Sequence, residues 1–372
     1  MRSCANFAER RFRQEGGFSM LYVVKPAGPV SDRLDTVLAY ALAGTEYCVV
    51  TTVAELTAYC RRGSVKKILF AVSLGYGGIN LAYAELAAYL ALEKDALQHT
   101  CGGVLIDGDS ELFTKKVGRE LIFLANRAGC LFPGKPLVEA TGTLANFAVQ
   151  AALQGVDTLQ AYKLSARRLV RKVTAFSPAP VSAENVLALH TSSRSTSNTL
   201  LLWEMVRRHL SSEIAVNEIS LRNGAVVDCR GCSYETCLHF GEKGDCFYGG
   251  LIVDTVYPAV KTCDVMVLIC PNYNDSVSAN MMAFFNRLTA LFRKDSETFA
   301  GKRVYGIIVS GYSGGDLVAE QILGAMNCNK NFILPPRFSL TETANDPQQI
   351  LSCPGIEERA KIFAAQIMNG QA

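Results

Sequence analysis

Three times in the second half of the chain an apolar run of strand length stops at a loop rich in hydroxyls, asparagines or glycines, and the loop opens directly into a helix-patterned segment. ValLeuAlaLeuHis (186–190) leads into ThrSerSerArgSerThrSerAsnThr (191–199), followed by LeuLeuLeuTrpGluMetVal (200–206). ValMetValLeuIleCys (265–270) ends in ProAsnTyrAsnAspSerValSerAla (271–279), ahead of a stretch with Met282, Phe285, Leu288 and Leu291 at helical spacing. ValTyrGlyIleIleVal (304–309) runs into SerGlyTyrSerGlyGlyAsp (310–316) and then LeuValAlaGluGlnIleLeu (317–323). A strand without polar alternation is covered on both faces, as in a parallel sheet flanked by helices. In such doubly wound sheets ligands bind outside the carboxyl ends of the strands, where these three loops converge.

The loop at 191–199 has the composition of a phosphate cradle. A starting helix presents unpaired N–H groups and the positive end of its dipole, and here serine and threonine hydroxyls and Arg194 add donors. Serine and threonine also cap helices without binding anything, so the loop by itself supports either reading.

With all three loops taken together, the chain resembles the flavodoxin-like NAD(P)H-dependent FMN reductases, a family that includes the iron-sulfur flavoproteins. The family's first loop, Gly-Ser-Pro-Arg-x-x-Gly/Ser-Asn-Thr, is similar to Thr191, Ser192, Ser193, Arg194, Ser197, Asn198 and Thr199, with the leading Gly and the Pro replaced. Its second loop, Pro-x-Tyr-x-x-Ser-x-Ser, is matched by Pro271, Tyr273, Ser276 and Ser278, and its glycine-rich third loop by Ser310 through Gly315. The resemblance covers residues 184 to about 350. It implies an FMN site built from Ser192, Arg194, Ser197, Asn198 and Thr199 in the first loop. Pro271, Asn272, Tyr273, Asn274 and Ser276 would serve from the second, and Ser310, Gly311, Tyr312 and Gly314 from the third.

The first half repeats the grammar without the chemistry. IleLeuPheAlaValSerLeuGlyTyrGlyGly (68–78) lies without a gap on residues 265–275, placing Tyr76 on Tyr273, and GlyValLeuIleAspGlyAspSer (103–110) lies on 306–313. Where a phosphate loop would stand, LysProAlaGlyProValSerAsp (25–32) has two prolines, which lack backbone donors, and one hydroxyl, Ser31. The expected architecture is therefore α/β: two tandem flavodoxin-like doubly wound parallel-sheet domains, the first degenerate (20–165) and the second binding FMN (184–372). ProLeuValGluAlaThrGly (136–142) is expected as the last strand of the first domain. ArgArgLeuValArgLys (167–172) and SerProAlaProValSer (177–182) are expected to form a linker over 166–183. Residues 1–19, which lack the apolar core of a secretory signal, are expected to be a disordered and dispensable extension.

Cys229, Cys232, Cys237 and Cys246 fall within one loop. Four thiolates could hold a [4Fe-4S] cluster or zinc, or remain free or redox-active thiols. The resemblance places a compact cysteine run here in iron-sulfur flavoproteins, so these four are the candidate ligands of a [4Fe-4S] cluster, although four residues separate Cys232 from Cys237 where that run has two. Cys48, Cys263 and Cys270 sit in or beside apolar strands and read as small core residues, while His190 and His239 read as structural.

Thirteen cysteines, an odd number, with no secretory leader point to a reducing, cytoplasmic setting without disulfides. A net charge of +3 offers nothing to nucleic acid or to an acidic membrane surface, and GlyTyrGlyGly breaks the longest uncharged run. No Ser-His-Asp or paired-carboxylate spacing supports a hydrolase, and no catalytic side chain is assigned. Because flavin chemistry asks the protein mainly for orientation and electrostatics, the resemblance implies an FMN-dependent oxidoreductase. NAD(P)H, or a ferredoxin-like donor, would be its reductant and a small molecule or a protein its electron acceptor, in a homo-oligomer. An iron-sulfur flavoprotein passing single electrons to a partner and a flavin-free binding or assembly module are the alternatives.

Overall fold

The structure, a computed structural model, describes residues 20–370 apart from 64–65, 178–181, 193–195, 223 and 225. The expected extension at 1–19 lies outside the described residues. The chain divides into two compact units at Pro178–Ala179.

In the first unit the order is β1 (Leu21–Val24), α1 (Asp32–Ala41), β2 (Tyr47–Val50), α2 (Val53–Arg61), β3 (Lys67–Leu74), α3 (Leu81–Leu92), β4 (Cys101–Gly108), α4 (Thr114–Arg127), β5 (Leu137–Ala140), α5 (Ala148–Gln154) and α6 (Thr158–Ala175). In the second it is β6 (Asn185–His190), α7 (Asn198–Arg208), β7 (Ala215–Ser220), α8 (Tyr234–Glu242), α9 (Tyr257–Thr262), β8 (Val265–Pro271), α10 (Ala279–Lys294), β9 (Arg303–Ser310), α11 (Gly315–Leu323), β10 (Ser339–Thr343) and α12 (Ile356–Asn369).

Each unit holds one five-stranded parallel sheet, β2-β1-β3-β4-β5 and β7-β6-β8-β9-β10. Both have the flavodoxin-like order, with the chain reversing direction across the sheet between its first and third strands. The overlaid segments fall on equivalent strands: 68–74 in β3 and 265–271 in β8, 103–108 in β4 and 306–310 in β9. The strand expected within 136–142 is β5. Strands β3, β4, β8 and β9 are buried almost end to end, because helices cover both faces of each sheet.

Hydroxyl and amide side chains start the helices where the loops end. Ser31 caps α1, Asn80 caps α3, Ser197 caps α7 and Ser278 caps α10, each accepting a hydrogen bond from a backbone N–H one turn on. In α10 the buried face runs through Met281, Phe284, Leu288 and Leu291, and Met282 lies on the exposed side. Of the expected stripe Phe285, Leu288 and Leu291 are buried, and Met282 departs from it.

The linker expected over 166–183 is corrected for most of its length. The basic run belongs to α6, an 18-residue helix that Asp157 caps. Ala166, Leu169, Val170 and Val173 pack into the core of the first unit, and the arginines and Lys172 fall between them on the outer face. Alternation of long cations with apolar residues at helical spacing is an amphipathic helix, whose charged stems cover its own edges. Cys48, on β2, is disulfide-bonded, which overturns the expectation that disulfides are absent.

At the carboxyl ends of the first sheet the crevice is filled by the protein's own groups. The Arg33 guanidinium donates to both carboxylate oxygens of buried Asp107, at 2.9 and 3.2 Å, and to the carbonyls of Gly142 (2.7 Å) and Gly108 (2.9 Å). The Ser31 hydroxyl donates to the same carboxylate at 2.9 Å, and the Ser73 hydroxyl ties down the Pro29 carbonyl at 2.6 Å. Gly28 lies so close to Asn80 that a Cβ there would stand 2.2 Å from its Nδ2. Removing one member of such a buried pair strands the other charge. Arg33→Ala is expected to lower the unfolding free energy of the first unit by about 3 kcal/mol, read from its urea transition. A loss no larger than that of an exposed pair, under about 1 kcal/mol, would contradict the reading.

Candidate functional site

The same region of the second unit is open. A cavity of about 380 Å³ is lined by Ser192, Thr196, Ser197 and Asn198 on one side and by Pro271, Tyr273, Asn345 and Pro347 on the other. Hydroxyls at the start of α7 thus face a wall of one aromatic ring and two prolines. The α7 N-terminus contributes unpaired N–H groups and positive potential, the two ingredients of an anion site.

Each loop places its residues differently. Ser192 is buried and lines the cavity; Ser197 lines it too while its Oγ caps α7 by accepting from Leu200 N at 3.5 Å. Arg194 lies outside the described residues. Asn198 lines the cavity and has a second engagement. Its Nδ2 donates to the carbonyls of Ala344 (3.1 Å) and Asp346 (2.8 Å), and its Oδ1 accepts from Ile350 N (3.1 Å). Its amide is therefore committed to anchoring the segment after β10, the segment that carries Asn345 and Pro347. Thr199 is buried in the first turn of α7 and is not part of the cavity lining.

The second and third loops lock one another. Asn272 donates from Nδ2 to Ser310 Oγ (3.1 Å) and to the Ser313 carbonyl (2.8 Å). Tyr273 and Ser276 exchange backbone hydrogen bonds at 3.0 and 3.1 Å, closing a turn whose centre, Asn274 and Asp275, has positive φ of 51° and 57°. Gly314, at φ 81°, lets the third loop pass against this turn: a Cβ there would lie 1.9 Å from Asp275 Oδ1. Ser276 is engaged by Gln321 of α11, which also accepts from Val277 N and donates to the Asp275 carbonyl. Tyr273 is half exposed at the cavity and Tyr312 stands largely in solvent.

The sequence reading missed Asn345, Pro347, Thr196 and Gln321. The AsnAspPro turn signal one residue after SerLeuThrGluThr could have marked the first two as a fourth loop at the same sheet edge.

Whether these residues suit FMN can be tested on the atoms they leave unsatisfied. Among the described residues, Thr191 Oγ1 in the first loop and Asn272 Oδ1 in the second are buried without a hydrogen-bond partner, a costly state unless a ligand or water completes it. Orphan polar atoms at the bases of both loops, a hydroxyl-lined helix start and an aromatic wall fit a ligand with an anionic end and a flat ring.

The cysteine loop gives no evidence of a metal site. Cys229, Cys232, Cys237 and Cys246 are free, and among the described residues no three His, Cys, Asp or Glu side chains are grouped to hold a metal ion. Helix α8 starts at Tyr234, so Cys237 is carried on a helix while Cys229 and Cys232 lie on the loop before it. Burial pushes the Cys237 thiol up from its ordinary value, and Cys232 and Cys229 push the same way, which favours the protonated form. The four residues are not carried forward as cluster ligands. Burial also pushes Cys263 up to about 11 and raises Cys270 further, as befits core thiols. An unforeseen residue organises the base of this loop: Arg287, buried on α10, donates to the Val227 carbonyl (2.9 Å) and the Gly249 carbonyl (2.6 Å) on either side of the four cysteines.

The NADPH-dependent FMN reductase family model matches residues 185–345. The match falls wholly within the second unit and spans the three loops and β10. The carboxyl-terminal half thus matches a family of flavin oxidoreductases. An iron-sulfur flavoprotein of Archaeoglobus fulgidus is 27% identical over 143 residues, 37% of this chain and 69% of that protein. Among solved structures, an FMN-dependent NADH-azoreductase from Bacillus anthracis in complex with FMN is 10% identical and aligns over 50% of this chain and 100% of its own, with a TM-score of 0.36. An NAD(P)H:quinone oxidoreductase from Methanothermobacter marburgensis is 13% identical over 50% of this chain and 96% of its own, with a TM-score of 0.37.

The role of Asn198 is directly testable. Replacing it with Ala leaves two carbonyls and one N–H without their partner, so a loss of about 1 to 3 kcal/mol is expected. The Ile350 amide should exchange with solvent faster while amides in the first unit are unaffected. Unchanged exchange at Ile350 would remove Asn198 as the anchor.

Proposed function

We propose that the chain is an FMN-dependent oxidoreductase reduced by NAD(P)H, with its flavin held at the carboxyl ends of β6, β8 and β9. The observation that carries the reading is the cavity whose hydroxyl-lined helix start faces Tyr273, within the segment that matches the FMN reductases. Ser192, Thr196, Ser197 and the α7 N-terminus would take the phosphate, with Arg194 adding a charge. Tyr273 would flank the ring, and Asn272 would offer the acceptor that it leaves unpaired. FMN, when bound, supplies the hydride-accepting ring. The protein's own contribution is to orient that ring, hold the phosphate and limit access of water. A small-molecule or protein electron acceptor and a homo-oligomeric assembly belong to this proposal.

Among the described residues no helix is long and apolar enough to cross a membrane.

The first unit is proposed to bind no flavin, since Arg33 and Asp107 fill the equivalent crevice. Each chain should therefore bind one FMN, counted by absorbance against protein concentration. Two FMN per chain would overturn the division of roles. Tyr273→Ala should weaken FMN binding by a few-fold to tenfold, as expected for loss of about 0.5 to 1.5 kcal/mol of aromatic contact, and should shift the flavin spectrum, whereas Tyr76→Ala should leave both alone. Arg194→Ala should weaken FMN roughly ten- to a hundredfold, the effect of losing one charge-assisted hydrogen bond. A protein that stays colourless and takes up no added FMN would support the flavin-free binding module instead.

A further inference from the structure

His190 ends β6 immediately before the first loop and is buried. Its Nδ1 lies 3.0 Å from the Ser192 carbonyl oxygen. A carbonyl can only accept, so Nδ1 carries the hydrogen. The other ring nitrogen lies 3.6 Å from Glu218 Oε1 on the neighbouring strand β7. Glu218 is itself held from α7: its Oε2 accepts from Trp203 Nε1 (2.8 Å) and from Arg207 Nη1 (3.4 Å). The ring is thus fixed on both sides, by a carboxylate braced from one helix and by the loop that opens it.

A phosphate loop works by aiming donors at its ligand, and a backbone carbonyl left free beside the anion opposes it electrostatically. The Ser192 carbonyl belongs to a cavity-lining residue, and the imidazole occupies it. The first unit supplies the contrast. Val24 pairs with Phe70, and Ala188 pairs with Val267. Phe70 and Val267 coincide when 68–78 is laid on 265–275, so the counterpart of His190 is Pro26, which has neither a side-chain donor nor an N–H. The half with the open cavity has the histidine, and the half with the filled crevice does not.

We propose that His190 is a positioning residue of the phosphate-binding loop: it engages the Ser192 carbonyl and so holds the loop with its donors available to the phosphate of the flavin. The inference rests on the functional reading above. Riboflavin is the discriminating probe, because it has the same ring and lacks the phosphate. In the full-length protein stripped of flavin, FMN and riboflavin affinities are measured by quenching of flavin fluorescence. His190→Leu should weaken FMN about tenfold, the effect of one lost hydrogen bond at the loop, and leave riboflavin within about twofold. His190→Asn, whose amide nitrogen can stand in the place of Nδ1, should restore FMN affinity. His190→Gln carries its donor one bond farther, toward Glu218, and should behave like the leucine variant, which keeps the comparison available if the leucine variant does not fold. Parallel loss of FMN and riboflavin binding in these variants, or failure of asparagine to rescue, would overturn the assignment while leaving FMN binding by the unmodified protein intact. An unmodified protein that binds neither flavin would overturn the functional reading, and this inference with it.

Discussion

Burial of the central strands on both faces is the constraint from which the site follows. Along β8 and β9 almost every side chain is enclosed by helices, so a polar group there would have no water and few partners. Chemistry can enter only where the strand stops. The change from ValMetValLeuIleCys to ProAsnTyrAsn, and from IleIleVal to SerGlyTyr, marks in sequence where the sheet ends in space. Parallel pairing brings those ends to one edge, since every strand runs the same way. Two of these loops, with the segment after β10, line one cavity although they lie far apart in sequence, and the third loop braces the second from behind.

The two units show that this scaffold does not oblige a chain to bind anything. They share strand order, and a serine caps the first helix of each. They diverge in what stands behind that serine. In the first unit Ser31 donates to Asp107, whose charge is already taken by Arg33, so the helix start faces an internal ion pair. In the second, the position that overlays Asp107 is Ser310, which accepts from Asn272 and carries no charge. An anionic ligand is thus excluded from the first crevice by a buried carboxylate and not opposed by one in the second. The substitution of a carboxylate for a hydroxyl at one strand end separates the two outcomes more sharply than the prolines of the 25–32 loop do.

What was legible in the sequence follows from how local each signal is. Strand, loop and helix succession is written in consecutive residues, so the fold, the duplication and the three loops could be read from the chain. The linker could not, because ArgArgLeuValArgLys shows its cations more loudly than Leu169 and Val170, and only the sheet reveals which face is buried. Asn198 stands where the family pattern has a cofactor residue, yet its amide meets Ala344, Asp346 and Ile350, some 150 residues later, which no local pattern encodes. The cysteine spacing was legible as spacing alone. That a helix begins between Cys232 and Cys237 is not written in that spacing; Ser233 sets the start by accepting from the Thr236 N–H.

The loops around the cavity are locked by contacts made far along the chain. The second and third loops are tied to each other by Asn272 and to α11 by Gln321, with Gly314 allowing the close approach, so the side of the cavity that carries Tyr273 is fixed before any ligand arrives. On the first loop's side His190 engages the Ser192 carbonyl, Ser197 caps α7, and Asn198 holds the segment that carries Asn345 and Pro347. A preorganised wall costs little conformational entropy on binding. On the proposed reading, strand β6 and helix α7 would hold the phosphate of the flavin, and strands β8 and β9, whose loops are locked in advance, would present its ring to a substrate.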